Sequence, residues 1–141
     1  MSIENVIAGI QDLVRAVPGI RAAPEEVPER PAPGVFAIAY PSNGVINGGD
    51  PVGEMKSLHN INLEVIAPRT AKLRAVLEGL YPFCKSVPIA LEEDPTFGGN
   101  CDTFGSISYT FNLASPMYGG DYMGWLFTIN DVKTKDAYTP K

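Results

Sequence analysis

The stretch Ser57-Leu58-His59-Asn60-Ile61-Asn62-Leu63-Glu64-Val65-Ile66-Ala67 decides the fold class. Successive side chains of an extended strand point to opposite faces, so Ile61, Leu63 and Val65 share one face and Asn60, Asn62 and Glu64 the other. A half-polar strand of this kind belongs to an antiparallel sheet with one covered face. Pro68 closes the strand and the period then changes. Leu73, Val76, Leu77 and Leu80 recur at helical spacing, and Gly79 and Pro82 end that pattern.

Toward the N-terminus, Val35 to Tyr40 reads as a short strand that runs into Pro41-Ser42-Asn43-Gly44, which is turn chemistry. Residues 42–56 carry Asn43-Gly44, Asn47-Gly48-Gly49 and Asp50-Pro51, and are expected to form a long exposed loop. Prolines 18, 24, 28, 31 and 33 make 18–34 an extended connector. Before it, Ile3, Val6, Ile7, Ile10, Leu13, Val14 and Val17 follow the i, i+3, i+4, i+7 rule, with Ser2 as N-cap and Pro18-Gly19 as the stop. An amphipathic helix over 2–17 follows.

Toward the C-terminus, Ile89 to Leu91 reads as a brief strand, and 93–105, with Asp94-Pro95 and Gly98-Gly99, as a second long loop. Ile107, Tyr109, Phe111 and Leu113 alternate with polar residues, as do Met123, Trp125, Phe127 and Ile129. Gly119-Gly120 lies between the two runs, which therefore form a hairpin. The expected fold is α+β: a mostly antiparallel sheet of about four to five strands with two helices packed on one face. One domain spans 1–132, and the polar residues 133–141 form a C-terminal arm.

Composition narrows the function. The chain has 141 residues, enough for one domain, with 14 glycines, 13 prolines and 19% charged residues. It is too apolar for disorder and too punctuated for a helical bundle. Sixteen acidic residues against 11 basic ones give a net charge of −5. The basic cluster Arg69, Lys72 and Arg74 is best explained as a solvated helix face, and tight nucleic-acid binding is not expected. The acidic run Glu25, Glu26 and Glu29 sits among prolines as an exposed linker. Neither a signal peptide nor an apolar run of about 20 residues is evident, so synthesis in a cytoplasm without membrane insertion is expected.

The chemistry-bearing residues do not assemble into a site on paper. Cys84 and Cys101 form no CxxC pair and, with the lone His59, fall short of a zinc set. His59 is in phase with Ile61 and Leu63, which suits a partly buried, hydrogen-bonded histidine. A hydrolase using Cys84 or Cys101 with His59 is the enzymatic alternative, and no nucleophile elbow supports it. Gly98-Gly99-Asn100-Cys101-Asp102 lacks the lysine, spacing and following helix of a phosphate loop. Glu92, Glu93 and Asp94 are consecutive and cannot converge on a metal without a second segment. No catalytic, cofactor or metal site is expected; a small-molecule binding module is a further alternative. Tyr109, Phe111, Trp125 and Phe127 read as core. Phe97, Phe104, Tyr118, Tyr122 and Tyr138 lie in loops, off-phase positions or the arm, where aromatic residues suit a protein–protein interface.

The helix Glu4-Asn5-Val6-Ile7-Ala8-Gly9-Ile10, the proline-rich link, the strand Val35-Phe36-Ala37-Ile38-Ala39-Tyr40, and the strand His59 to Ala67 passing into Leu73-Arg74-Ala75-Val76-Leu77 have a familiar order. With the pair Ser106 to Leu113 and Gly124 to Val132, the chain resembles the tail terminator (tail completion) proteins of bacteriophages with long non-contractile tails, the lambda-like tail-joining family. The resemblance covers nearly the whole chain in element order and carries no short signature. It implies a virion protein at the tail–head junction, forming a homo-hexameric ring that caps the tail tube, ends its polymerisation and meets the head connector. The implied partners are further copies of the chain, the tail tube protein and a head-completion protein, with DNA passing through the channel without specific binding. No catalytic residue is carried over. Interfaces built from loops and sheet edges would here draw on 42–56, 93–105 and the arm, and so on Asn47, Asp50 and Met55 beside the loop aromatics. Another head–tail connector or minor tail protein is the closest rival reading.

Overall fold

The computed structural model describes residues 2–23, 34–47 and 53–137. Ser2 accepts a hydrogen bond on its side chain from the Asn5 amide and opens helix α1 (Ile3–Arg15), which presents Val6, Ile10 and Val14 to the core. Strands β1 (Phe36–Asn47) and β2 (Glu54–Pro68) pair antiparallel. Two helical segments follow, α2 (Leu73–Leu80) and α3 (Phe83–Glu93), parted at Tyr81 and Pro82. Strands β3 (Ser106–Asn112) and β4 (Tyr122–Ala137) complete one antiparallel sheet in the order β1-β2-β4-β3. The α+β class, the antiparallel sheet and the C-terminal hairpin are as the alternation predicts.

One sheet face, formed by Ala37, Ala39, Ile61, Leu63, Val65, Met123, Trp125, Phe127 and Ile129, packs on α1 and on Leu80, Phe83, Val87 and Leu91. Side chains tie the layers. Gln11 donates from Nε2 to the Ala37 carbonyl at 3.2 Å, and Trp125 donates from Nε1 to the Leu80 carbonyl at 2.8 Å. The connector begins as a short parallel bridge, Ala22 beside Phe36, which covers the first residues of the β1 edge. Residues 24–33 of the connector lie outside the described residues.

Four expectations need correction. Ile89 to Leu91 is not a strand but the last part of α3, whose buried positions Phe83, Val87 and Leu91 stand four apart. Pro88 inside the helix hides that spacing, because proline normally interrupts a helix interior. Residues 42–47 and 54–56 are not loop but continue β1 and β2. Their Asn and Gly residues have weak strand propensity, and cross-strand pairing overrides it. Pro41 is tolerated because β1 is an edge strand with a bulge at Pro41/Asn43. Residues 133–137 are likewise not a free arm: β4 runs through them, paired with Glu54 to Leu58. Finally, Tyr109 is not core. It stands 61% exposed on the edge strand β3, packed edge-to-face on Trp125.

Candidate functional site

The sheet divides at Asn60. Below it, the strands lie under the helices; beyond it, β1, β2 and β4 run on as a three-stranded ribbon made of 43–47, 54–59 and 132–137. Both outer strands bulge opposite this residue, β1 between Pro41 and Asn43 and β4 between Ile129 and Val132. A bulge puts two residues against one and bends the strand. Asn60 holds both bends. Its Nδ2 donates to Asn43 Oδ1 at 2.6 Å, and its Oδ1 accepts from the Asp131 amide at 3.1 Å. Asp131 takes a left-handed backbone, φ 58°, which Asp and Asn adopt more readily than other non-glycine residues. Gly44 is required by close approach: a Cβ there would stand 2.5 Å from the Leu58 carbonyl oxygen.

The ribbon's two faces differ. On one, Thr134 and Ser57 are buried, and His59 Nε2 lies 3.1 Å from Thr134 Oγ1. His59 is thus the partly buried, hydrogen-bonded histidine its phase predicts. On the other, register places Val45, Leu58 and Lys133 side by side, followed by Asn47, Lys56 and Lys135. Lys135 reaches Asp102 at 3.6 Å; among the described residues Lys56 and Lys133 have no carboxylate at ion-pair distance. Val45 on this face is 58% exposed; Ile46, on the opposite face across from Ser57, is 61% exposed.

The opposite face of the sheet base carries a second construction. Phe36, Ile38 and Ile66 are covered by Tyr40, Tyr118 and Tyr122, with Tyr118 edge-on to Phe36 at 6.2 Å. Within this patch the fully buried Glu64 accepts from the Tyr40 hydroxyl at 2.6 Å and the Ser115 hydroxyl at 2.5 Å. Ser115 Oγ in turn accepts from the Tyr118 amide at 3.0 Å, so Glu64 fastens the 113–121 turn to the sheet. Burial, then the bond to Glu64, raises the Tyr40 hydroxyl well above its ordinary range. Tyr118 moves the same way, through burial and the nearby Glu64.

The sequence-derived interface residues fall in three places. Asn47 is exposed at the end of β1, and Met55 is half-buried in β2 opposite Asp136, both on the ribbon. Tyr118 and Tyr122 serve the Glu64 patch. Phe97 is not at a surface: it is fully buried, stacked on Phe104 at 5.3 Å, and its carbonyl oxygen would meet a Cβ on Gly9 at 2.3 Å. The segment 94–105 is compact, held by Asp94 accepting from Thr96 and from the Gly98 amide, so Phe97 is pressed under α1. Phe104 is half-buried in the same stack. Asp50 and Tyr138 lie outside the described residues. Val45, Ile46, Lys56, Lys133 and Lys135 fall within 42–56 and the arm, the segments expected to carry interfaces, but the sequence does not single them out. Their one signal is the Lys-Thr-Lys alternation at 133–135, legible only once that segment is known to be a strand.

Cys101 is buried and donates weakly to the Pro95 carbonyl at 3.5 Å. Burial, then Asp102 and Asp94, pushes its thiol up to about 11, so it is protonated at neutral pH and weakly nucleophilic. Among the described residues no three His, Cys, Asp or Glu side chains gather to hold a metal, and no helix is long and apolar enough to cross a membrane. Compared with models of protein families and with curated proteins, the chain matches none of either.

Proposed function

We propose that this protein is a phage tail terminator: a structural subunit that forms a homo-hexameric ring, caps the tail tube, ends its polymerisation and joins the tail to the head connector. The observation that carries the reading is the ribbon. It carries β1, β2 and β4 beyond the helices, with one face covered at Ser57, Val132 and Thr134, and leaves Val45 and Ile46, on opposite faces of β1, more than half exposed. The same extension suits a subunit whose sheet is completed by neighbours. The element order that resembles the tail terminator family supports the same reading.

Native mass spectrometry of the purified chain, alone and with tail tube protein, tests it. A ring mass is expected. A chain that stays monomeric at high concentration in both cases refutes the reading. Electron microscopy of particles assembled without the protein separates the rival joining roles: overlong tails mark a terminator, and tails of normal length lacking heads mark a connector.

A further inference from the structure

We infer that the ring closes head-to-tail, with the ribbon of one copy seated in the groove between α1 and α3 of the next. This rests on the ring reading above, but its ground is a pair of unrelieved features on the subunit. The groove is lined by Leu13, Ala16, Val17, Ile89, Ala90 and Glu93, and Ile89 is 52% exposed beside it. Glu93 lines one end of the groove and Glu92 stands next to it in the last turn of α3; both are exposed and that turn carries no basic residue. A helix C-terminus is the negative end of its dipole, so two carboxylates there are unfavourable until a cation arrives.

The ribbon carries the opposite imbalance. Lys56 lies directly across from Lys135 in the β2–β4 ladder, and like charges directly opposite destabilise a sheet. Asp102 reaches Lys135 at 3.6 Å, and Glu54 shares this face two residues from Lys56 without coming within ion-pair distance of a lysine among the described residues. Beside these lysines stand Val45 and Leu58, an apolar centre of the kind the groove accepts. Docking Val45 and Leu58 on Leu13 and Ile89 brings Lys56 and Lys133 to Glu92 and Glu93. One contact relieves both imbalances and buries both apolar patches. The two surfaces are different parts of the chain, so the contact is heterologous and propagates from copy to copy until it closes.

Charge reversal tests this. A ribbon variant (Lys56→Glu with Lys133→Glu) and a groove variant (Glu92→Lys with Glu93→Lys) are each expected to lose the ring mass in native mass spectrometry, with association at least tenfold weaker. All four positions are exposed or half-exposed strand and helix sites, so both variants keep the wild-type circular dichroism spectrum. Mixing the two variants restores the ring as an alternating assembly, and so does the chain carrying all four reversals. If either variant alone retains the ring, or the mixture fails to restore it, the docking is wrong while the ring reading stands. If the wild-type chain forms no ring, both fall. If the ribbon variant keeps its ring and instead loses retention of double-stranded DNA, the lysines face nucleic acid and the inference is overturned.

Discussion

Replacing Glu64 by Ala strips two hydroxyl donors of their acceptor inside a sealed patch. Tyr40 and Ser115 both donate to this carboxylate, which has no solvent exposure. Hydrogen bonds to a charged group contribute about 1.5–3 kcal/mol each, and a buried donor left unpaired costs a similar amount. The loss is therefore expected at about 3–5 kcal/mol, with a cavity term included. For a chain of this length that lowers Tm by roughly 10–20 °C. Urea unfolding followed by the fluorescence of the single tryptophan, Trp125, reads it out, because that indole is buried and bonded to the Leu80 carbonyl. Tyr40→Phe alone should cost about 1–2 kcal/mol. The double-mutant cycle with Glu64→Ala should show a coupling of at least about 1 kcal/mol, because the two groups share one bond. A Glu64→Ala chain within about 1 kcal/mol of wild type, or a cycle with no coupling, refutes the assignment of Glu64 as the fastener of the 113–121 turn.

Asn60→Ala removes the side chain that holds both bulges, so about 1–2 kcal/mol of stability is lost. Amide exchange should then quicken along 43–47 more than in Leu63 or Val65; uniform exchange would argue against a local staple. Gly124→Ala drives a Cβ to 2.1 Å from the Val65 carbonyl oxygen at φ 158°, so the β2–β4 ladder must part and the chain should fail to give a cooperative unfolding transition. A two-state melt near the wild-type Tm would contradict that. The raised Cys101 thiol has a signed pH consequence. The unfolded chain loses this proton near pH 9.0 and the folded chain near 11, so this group's contribution is full below pH 9 and declines as pH rises from 9 to 11. Melting curves over that window should show a shallower decline for Cys101→Ala than for the wild type.

The helix α1 and the alternating strands around Leu63, Phe111 and Phe127 were legible because each is a local period with apolar residues in phase. Helix α3 was not, since Pro88 disguises a spacing that Phe83, Val87 and Leu91 obey. The ribbon was the larger miss. Asn43, Gly44 and Asn47 read as turn residues because their local preferences are for turns, and those preferences are worth less than the paired backbone hydrogen bonds across β1 and β2. Phe97 was misplaced for the converse reason. A glycine-rich segment is usually exposed, yet Asp94 folds this one back onto α1 and buries the ring.

By itself the amino-acid order determined helix α1, the alternating strands and the apolar face of the sheet, because burial follows a periodicity that neighbouring residues carry. Only the tertiary structure decided where those strands stop and what stands beside them. That Lys56 faces Lys135, that Glu64 meets Tyr40 and Ser115, and that Asn60 lies between two bulges are consequences of register between segments far apart in the chain. Register is set by the packing of one whole face at once, and a one-residue slip would exchange every partner. The surface on which the proposed assembly role rests is therefore a property of the paired strands, absent from any one of them.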